Sequence, residues 1–116
     1  MTTKADLNQK REAYRLLLEK SVQDLVKRLR DLEGVHRISV FGSFARGRRD
    51  LFTDLDVLVV METEMSLVDR LRFLYSRLAL PVDLDILCYT PREFESLTAS
   101  GRLTGILGDE QLLYEK

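Results

Sequence analysis

The sequence lacks several features that define common protein classes. It has no tryptophan, and its single cysteine, Cys88, excludes a disulfide within the chain and suits the reducing cytoplasm. The net charge is −1 although 32% of the residues are charged, so the basic excess of a typical nucleic-acid-binding protein is missing. No apolar run reaches the length of a membrane span, and the N-terminus lacks the apolar core of a signal peptide. We therefore expect a cytoplasmic protein with no membrane partner, for which nucleic acid is a less favoured ligand.

The apolar content is sufficient for a single domain spanning residues 1–116. Hydrophobic residues make up 45% of the chain, and its length matches one domain. Residues 5–33 contain neither glycine nor proline, and their apolar residues recur at spacings of four and three, which predicts a long helix within residues 1–33 with Gly34 as its C-cap. We expect this helix to pack on a sheet, although the spacing leaves a dimer seam open. The apolar stripe consists of Leu18, Val22, Leu25, Leu29 and Leu32.

Three apolar runs predict strands, and two amphipathic segments between and after them predict helices. N-cap signals at Ser66 and at Thr90 mark the starts of these helices. The first is expected to bury a leucine stripe, and the second to run to about Ser100 and end at Gly101. The remainder of the C-terminal tail, residues 96–116, is expected to be short and irregular or helical. The order of elements predicts an α/β (α+β) sandwich with a small sheet, whose core is residues 35–95. The strands are predicted at residues 35–41, 54–61 and 82–89, and the leucine stripe is Leu67, Leu71, Leu74 and Leu78.

The segment from Gly42 to Val60 carries the strongest functional signal. Asp54 and Asp56 begin a predicted strand and project from one face, because side chains alternate along a strand. A turn or cap role would explain Asp54 alone, whereas Asp56 lies one pleat deeper and precedes an apolar run. Their mutual repulsion would be relieved by a hard divalent cation such as Mg²⁺. Gly42 and Ser43 form a turn that offers backbone amides to a phosphate, so the segment predicts phosphoryl or nucleotidyl transfer.

This pattern resembles the nucleotidyltransferase superfamily related to DNA polymerase β, and in particular its minimal nucleotidyltransferase (MNT) branch. The resemblance rests on Phe41, Gly42, Ser43, Asp54 and Asp56, and it covers residues 35–95. It implies the nucleotidyltransferase fold, with a mixed sheet of three or four strands packed by helices. It also implies that Gly42, Ser43 and Arg46 bind the phosphates of a nucleotide. We expect the neighbouring arginines, Arg48 and Arg49, to be surface residues that raise the local positive potential.

The resemblance further implies a third carboxylate on a later strand. Asp83 and Asp85 lie on one face of that strand, and either could join Asp54 and Asp56. Counting back from the corner at Thr90 favours Asp85, whereas counting from Pro81 favours Asp83. We prefer Asp85, with Asp83 as the alternative. The third carboxylate would serve as general base for an acceptor hydroxyl.

The catalytic interpretation is a transfer of a nucleoside monophosphate, AMP from ATP, to a hydroxyl acceptor with Mg²⁺ or Mn²⁺ held by Asp54, Asp56 and Asp85. Family members of this size often pair with a HEPN-domain protein as a toxin–antitoxin couple, so the resemblance implies a HEPN partner protein for this chain, with a homodimer or hetero-oligomer both open. The alternative interpretation is a non-catalytic binding module, in which the chain would neutralise a partner by docking alone.

Overall fold

The computed structural model describes residues 3–116, which form a four-stranded sheet and five helices. This confirms the expected mixture of helices and strands and the long N-terminal helix. The strands are β1 (Val35–Phe41), β2 (Leu55–Met61), β3 (Leu84–Tyr89) and β4 (Gln111–Glu115). The helices are α1 (Lys4–Leu29), α2 (Gly42–Ala45), α3 (Leu67–Arg77), α4 (Pro91–Ala99) and α5 (Thr104–Asp109). Asp54 and Asp83 each lie one residue before a strand rather than within it.

The sheet is mixed, with strand order β3-β2-β1-β4. β1 runs antiparallel to β2 and β4, whereas β2 and β3 are parallel. Because β1 runs antiparallel to β2, the C-terminal end of β1 and the N-terminal ends of β2 and β3 lie at the same end of the sheet. The topology therefore brings the Gly42–Ser43 turn next to the start of β2, and the start of β3 lies on the other side of β2.

Strand β2 is buried on both faces, as its continuous apolar sequence predicts. Val57 and Val59 on one face and Leu58 and Val60 on the other are at most 3% exposed. Val57 and Val59 belong to a core to which α1 contributes three fully buried leucines, while α3 and its C-cap residue contribute one leucine each. Those five leucines are Leu18, Leu25, Leu29, Leu74 and Leu78. The packing of α1 on the sheet agrees with the preferred interpretation of its apolar stripe.

The prediction that Gly34 caps the first helix is wrong. Helix α1 ends at Leu29, with Arg30 as its C-cap. Gly34 instead precedes β1 with a φ of +86°, and a Cβ at this position would lie 2.6 Å from the carbonyl oxygen of Glu62. The Glu62 amide also donates to the Gly34 carbonyl at 2.8 Å. Glycine is therefore required here by the close approach of the chain that leaves β2.

The C-terminal tail is more ordered than its sequence suggests. The residues after Gly101 were expected to be irregular or helical, but they contain α5 and the edge strand β4. β4 pairs with β1, placing Tyr114 opposite Ile38. Five residues are too few to show a period, and the partner strand is distant in sequence, so pairing rather than local pattern creates this strand.

The caps of the two later helices agree with the sequence. The Ser66 side chain accepts from the Asp69 amide, and Thr90 forms a capping box with Glu93. The predicted leucine stripe of α3 is wrong at Leu67, the first residue of the helix, which is 53% exposed; Arg70, three residues further along, is buried instead. Residues 3–116 include no helix that is both long and apolar enough to cross a membrane.

Candidate active site

The register of the strands brings the predicted carboxylates together at one end of the sheet, where β2 and β3 begin. Asp56 is paired with Asp85 across the parallel strands β2 and β3, and with Phe41 across the antiparallel strands β1 and β2. Residues in direct register point to the same face, so the carboxylates of Asp56 and Asp85 are neighbours. Asp54 lies two residues before Asp56 and points the same way where β2 begins.

Gly42 is shaped by its contact with Asp56. Its φ is +71°, and a Cβ at this position would lie 2.3 Å from Oδ2 of Asp56. Any side chain here would displace the carboxylate of Asp56. Glycine was predicted here because it lets the backbone approach a phosphate, and it also leaves room for the Asp56 side chain. Ser43 is half-buried in the first turn of α2, and its carbonyl accepts from the Arg48 amide at 2.9 Å.

Burial and the neighbouring carboxylates at this end of the sheet disfavour negative charge on Asp56. Its pKa is raised above the usual carboxyl value by burial and then by the charges of Asp85 and Asp54, with Arg46 acting in the opposite direction. Within residues 3–116, none of the three aspartates lies within 4.0 Å of a basic side chain. The carboxylates therefore share a site in which no nearby basic side chain of the described residues forms an ion pair with them, and the site carries excess negative charge.

The donor set fits a hard divalent cation. Carboxylate oxygens are suitable ligands for Mg²⁺, which binds through one or two carboxylates together with substrate phosphates and water. In the described part of the chain, no cluster of three acidic, histidine or cysteine side chains is closed around a common metal position. The aspartates of residues 3–116 therefore do not form a complete metal site by themselves.

Asp83 differs from Asp85 in its surroundings. Its carbonyl accepts from the Leu55 amide at 3.0 Å, while its exposed side chain lines an open cavity beside Tyr14. Asp83 is not in register with Asp56, whereas Asp85 is. Asp85 therefore lies beside Asp56, and its choice as third carboxylate in preference to Asp83 stays a prediction.

The arginines near α2 have separate roles. Arg46 forms a 3.0 Å ion pair with Asp109 of α5, and Arg48 forms one of 2.6 Å with Asp50. Arg49 was expected to be a simple surface residue, but its guanidinium lies 3.6 Å from the centre of the Phe44 ring and donates to the Phe44 carbonyl. This stacking fixes the end of α2.

Tyr14 is a neighbour of the site that the sequence analysis missed. Its hydroxyl donates to the carbonyl of Thr53 at 2.8 Å, immediately before Asp54. Burial raises the pKa of Tyr14, and the charges of Asp54 and Asp83 raise it further. Tyr14 lies four residues before Leu18, on the same face of α1, and this spacing was the available signal.

Comparisons with known proteins agree with this geometry. A family model described as "Nucleotidyltransferase domain" matches residues 22–84, which is more than half of the 116-residue chain. That range includes Gly42, Ser43, Asp54 and Asp56, and it ends immediately before Asp85. No curated protein matches the chain by sequence.

Several solved structures share the fold at low sequence identity. A protein from Sulfolobus solfataricus described as a nucleotidyltransferase has a TM-score of 0.56 and 18% identity, over 95% of this chain and 87% of that one. A complex of tri-AMPylated HEPN toxin with MNT antitoxin from Shewanella oneidensis matches with a TM-score of 0.55 and 19% identity, over 84% and 72%. A toxin–antitoxin structure with AMP-PNP matches with a TM-score of 0.52 and 19% identity, over 84% and 73%. These likenesses establish the fold.

Proposed function

Because the chain belongs to the nucleotidyltransferase domain family and is a transferase, we propose that it moves AMP from ATP to a hydroxyl group in a reaction that requires Mg²⁺ or Mn²⁺. Residues 1–116 act as one domain in this proposal, with the site in residues 35–95. The observation that carries it is the register of Asp56 with Asp85, together with the packing of Gly42 against the Asp56 carboxylate.

The proposed roles follow from the position of each residue. Asp54 and Asp56 hold the cation, and Asp85 completes the set. Gly42 and Ser43 receive the phosphates of the nucleotide, and the nearby guanidinium of Arg46 can leave Asp109 to contact them. The paired carboxylates support this assignment because their excess negative charge is what a bound cation would compensate.

The transfer itself is an in-line displacement at the α-phosphorus. When bound, the cation neutralises phosphate charge and acts as a Lewis acid. The acceptor oxygen forms a bond to the α-phosphorus while the bond to the bridging oxygen breaks, and pyrophosphate leaves with that electron pair. Asp85 takes the proton of the acceptor hydroxyl as general base. The remaining contribution of the chain is to position both reactants.

A partner protein is the proposed acceptor. The chain has a balanced charge and no basic stripe in its sequence, so it offers little to grip a nucleic acid strand. One structural neighbour is a complex that contains an AMPylated HEPN toxin. We carry that over as a proposal for this chain: a HEPN-domain protein binds it as the toxin of a toxin–antitoxin pair and receives AMP on a tyrosine, serine or threonine.

The test is a labelling assay with the purified chain. ATP labelled at the α-phosphate, Mg²⁺ and a co-expressed HEPN protein should yield a labelled partner, with AMP located by mass spectrometry. Asp56→Asn should abolish the label. Asp31→Asn is the matched control, because Asp31 is an exposed aspartate at the far end of α1 and should leave labelling unchanged.

Other results would contradict the proposal in different ways. Salt-sensitive labelling of RNA ends by the isolated chain would make nucleic acid the acceptor. Neutralisation of the partner by Asp56→Asn at wild-type strength, with no label in either case, would support the non-catalytic binding module instead.

A further inference from the structure

Strand β3 lies at an edge of the sheet, and its backbone polar groups face two directions. The carbonyl of Asp83 accepts from Leu55 of β2, so the peptide groups of Asp83 and Asp85 face β2. The amide and carbonyl groups of Leu84 and Ile86 consequently point away from the sheet. Edge strands usually leave such groups to solvent or to another chain.

A single tyrosine hydroxyl satisfies this outer edge beside Asp85. The Tyr75 hydroxyl accepts a hydrogen bond from the Ile86 amide and donates one to the Leu84 carbonyl, each at 3.0 Å. The two bonds therefore bracket Asp85 from the side opposite β2. Tyr75 is held in turn by α3, because its neighbour Leu74 is fully buried in the core.

The Asp85 side chain has little else to orient it. It is exposed, and within residues 3–116 it forms neither an ion pair nor a side-chain hydrogen bond. Its position relative to Asp56 thus depends on the backbone of β3, which β2 holds on one side and the Tyr75 hydroxyl on the other.

We propose that Tyr75 is a positioning residue for Asp85, an inference that rests on the proposed function. Its hydroxyl prevents β3 from shifting away from β2 and so fixes the separation between the carboxylates of Asp85 and Asp56. A role limited to protecting the sheet edge would affect stability alone. A positioning role also affects how well the site holds a cation and how fast it transfers the nucleotide.

The test is Tyr75→Phe, which removes the hydroxyl and keeps the ring. Hydrogen exchange of the Ile86 amide, followed by NMR, should become roughly 2- to 10-fold faster as its hydrogen bond is lost. Calorimetry with Mn²⁺ and a non-hydrolysable ATP analogue should show about 10-fold weaker Mn²⁺ binding, the lower end of the effect of residues that orient metal ligands. The kcat for transfer should fall by a similar factor, while the KM for ATP stays unchanged.

Tyr114→Phe is the matched control. Tyr114 lies on β4, the opposite edge of the sheet, and its hydroxyl makes no hydrogen bond within the part of the chain described by the structure. Wild-type Mn²⁺ affinity and kcat in Tyr75→Phe, with only a lower melting temperature, would overturn the inference. An equal loss of Mn²⁺ affinity in Tyr114→Phe would overturn it too. Failure of the wild-type chain to bind Mn²⁺ with the analogue would instead overturn the proposed metal site, and this inference with it.

Discussion

The charged side chains at the two ends of strands β2 and β3 differ in whether the protein supplies them with a partner of opposite charge. At their starts, burial and like charges raise the pKa of Asp56, and no basic side chain within the described residues pairs with it. Beyond the end of β3, Arg70 is 8% exposed and contacts both carboxylate oxygens of Glu93, and this hydrogen bonding lowers the pKa of Glu93.

The difference separates a stabilising network around Arg70 from the proposed binding site. Arg70 also donates to the Met65 carbonyl at 3.0 Å, so most of its hydrogen-bonding capacity is used within the protein. Buried charge that is paired and hydrogen-bonded stabilises a unique packing, whereas charge left without a partner costs free energy until a ligand arrives. The aspartates at the starts of β2 and β3 therefore carry charge that destabilises the ligand-free protein, whereas the charge of Arg70 is compensated within the protein.

The largest effect that tests this comparison is the loss of transfer in Asp85→Asn. Removing its charge should lower kcat at least about 100-fold, the scale of losing one electrostatic contact in an active site. Asp83→Asn should remain within a few-fold of wild type, because Asp83 is out of register with Asp56. Steady-state kinetics of both variants decide the matter. A dead Asp83→Asn with an active Asp85→Asn would show that the wrong aspartate was chosen.

Gly42→Ala should produce the next largest effect, which is a loss of stability. The methyl group would meet Oδ2 of Asp56, and alanine would also be strained at this positive φ, so we expect a loss of about 2 kcal/mol in the free energy of unfolding. Gly47→Ala isolates the backbone term, because Gly47 also has a positive φ but open space around it. Chemical denaturation that gives equal losses for both variants would mean that the contact with Asp56 contributes nothing.

Arg70→Met should lower stability by about 1–2 kcal/mol and leave kcat near wild type. The cost is kept moderate by the Glu93 side chain, which is 44% exposed and can be hydrated when its partner is lost. A double-mutant cycle with Glu93→Gln isolates the pair. If Arg70→Met reduced transfer as strongly as a change at Asp85, the two ends would not be functionally distinct.

The smallest expected effect is a pH dependence of the metal-free protein. The folded pKa of Asp56 is raised, so its contribution to stability is present when the carboxyl is protonated and is lost as pH rises through the folded pKa. Asp56→Asn should therefore melt at a higher temperature than wild type at pH 7. The difference should vanish below 3.8, the pKa of an unperturbed aspartate carboxyl. Thermal scans in chelator across this range check the sign, and a constant difference would exclude the proposed origin.

Local sequence patterns predicted some features of this fold and missed others, for physical reasons. Caps at Ser66 and Thr90 are local hydrogen bonds between residues close in sequence, so the pattern alone predicted them. The exposure of Leu67 at the first position of α3 was not predicted, because helical spacing indicates which residues share a face but not how much of that face the sheet covers. Arg49 was called a surface residue because its stacking on Phe44 depends on the turn of α2.

By itself, the sequence determined the fold class, the long first helix, and the spacing of Gly42, Ser43, Asp54 and Asp56, since these are carried by periodicity and short motifs. Only the tertiary structure decided that β4 pairs with β1, that Asp85 stands in register with Asp56, and that Tyr75 supports β3. Register and long-range hydrogen bonds depend on which strands meet, and a one-residue slip would turn each carboxylate to the other face of the sheet. That choice is made by packing across the whole core, which no local pattern encodes.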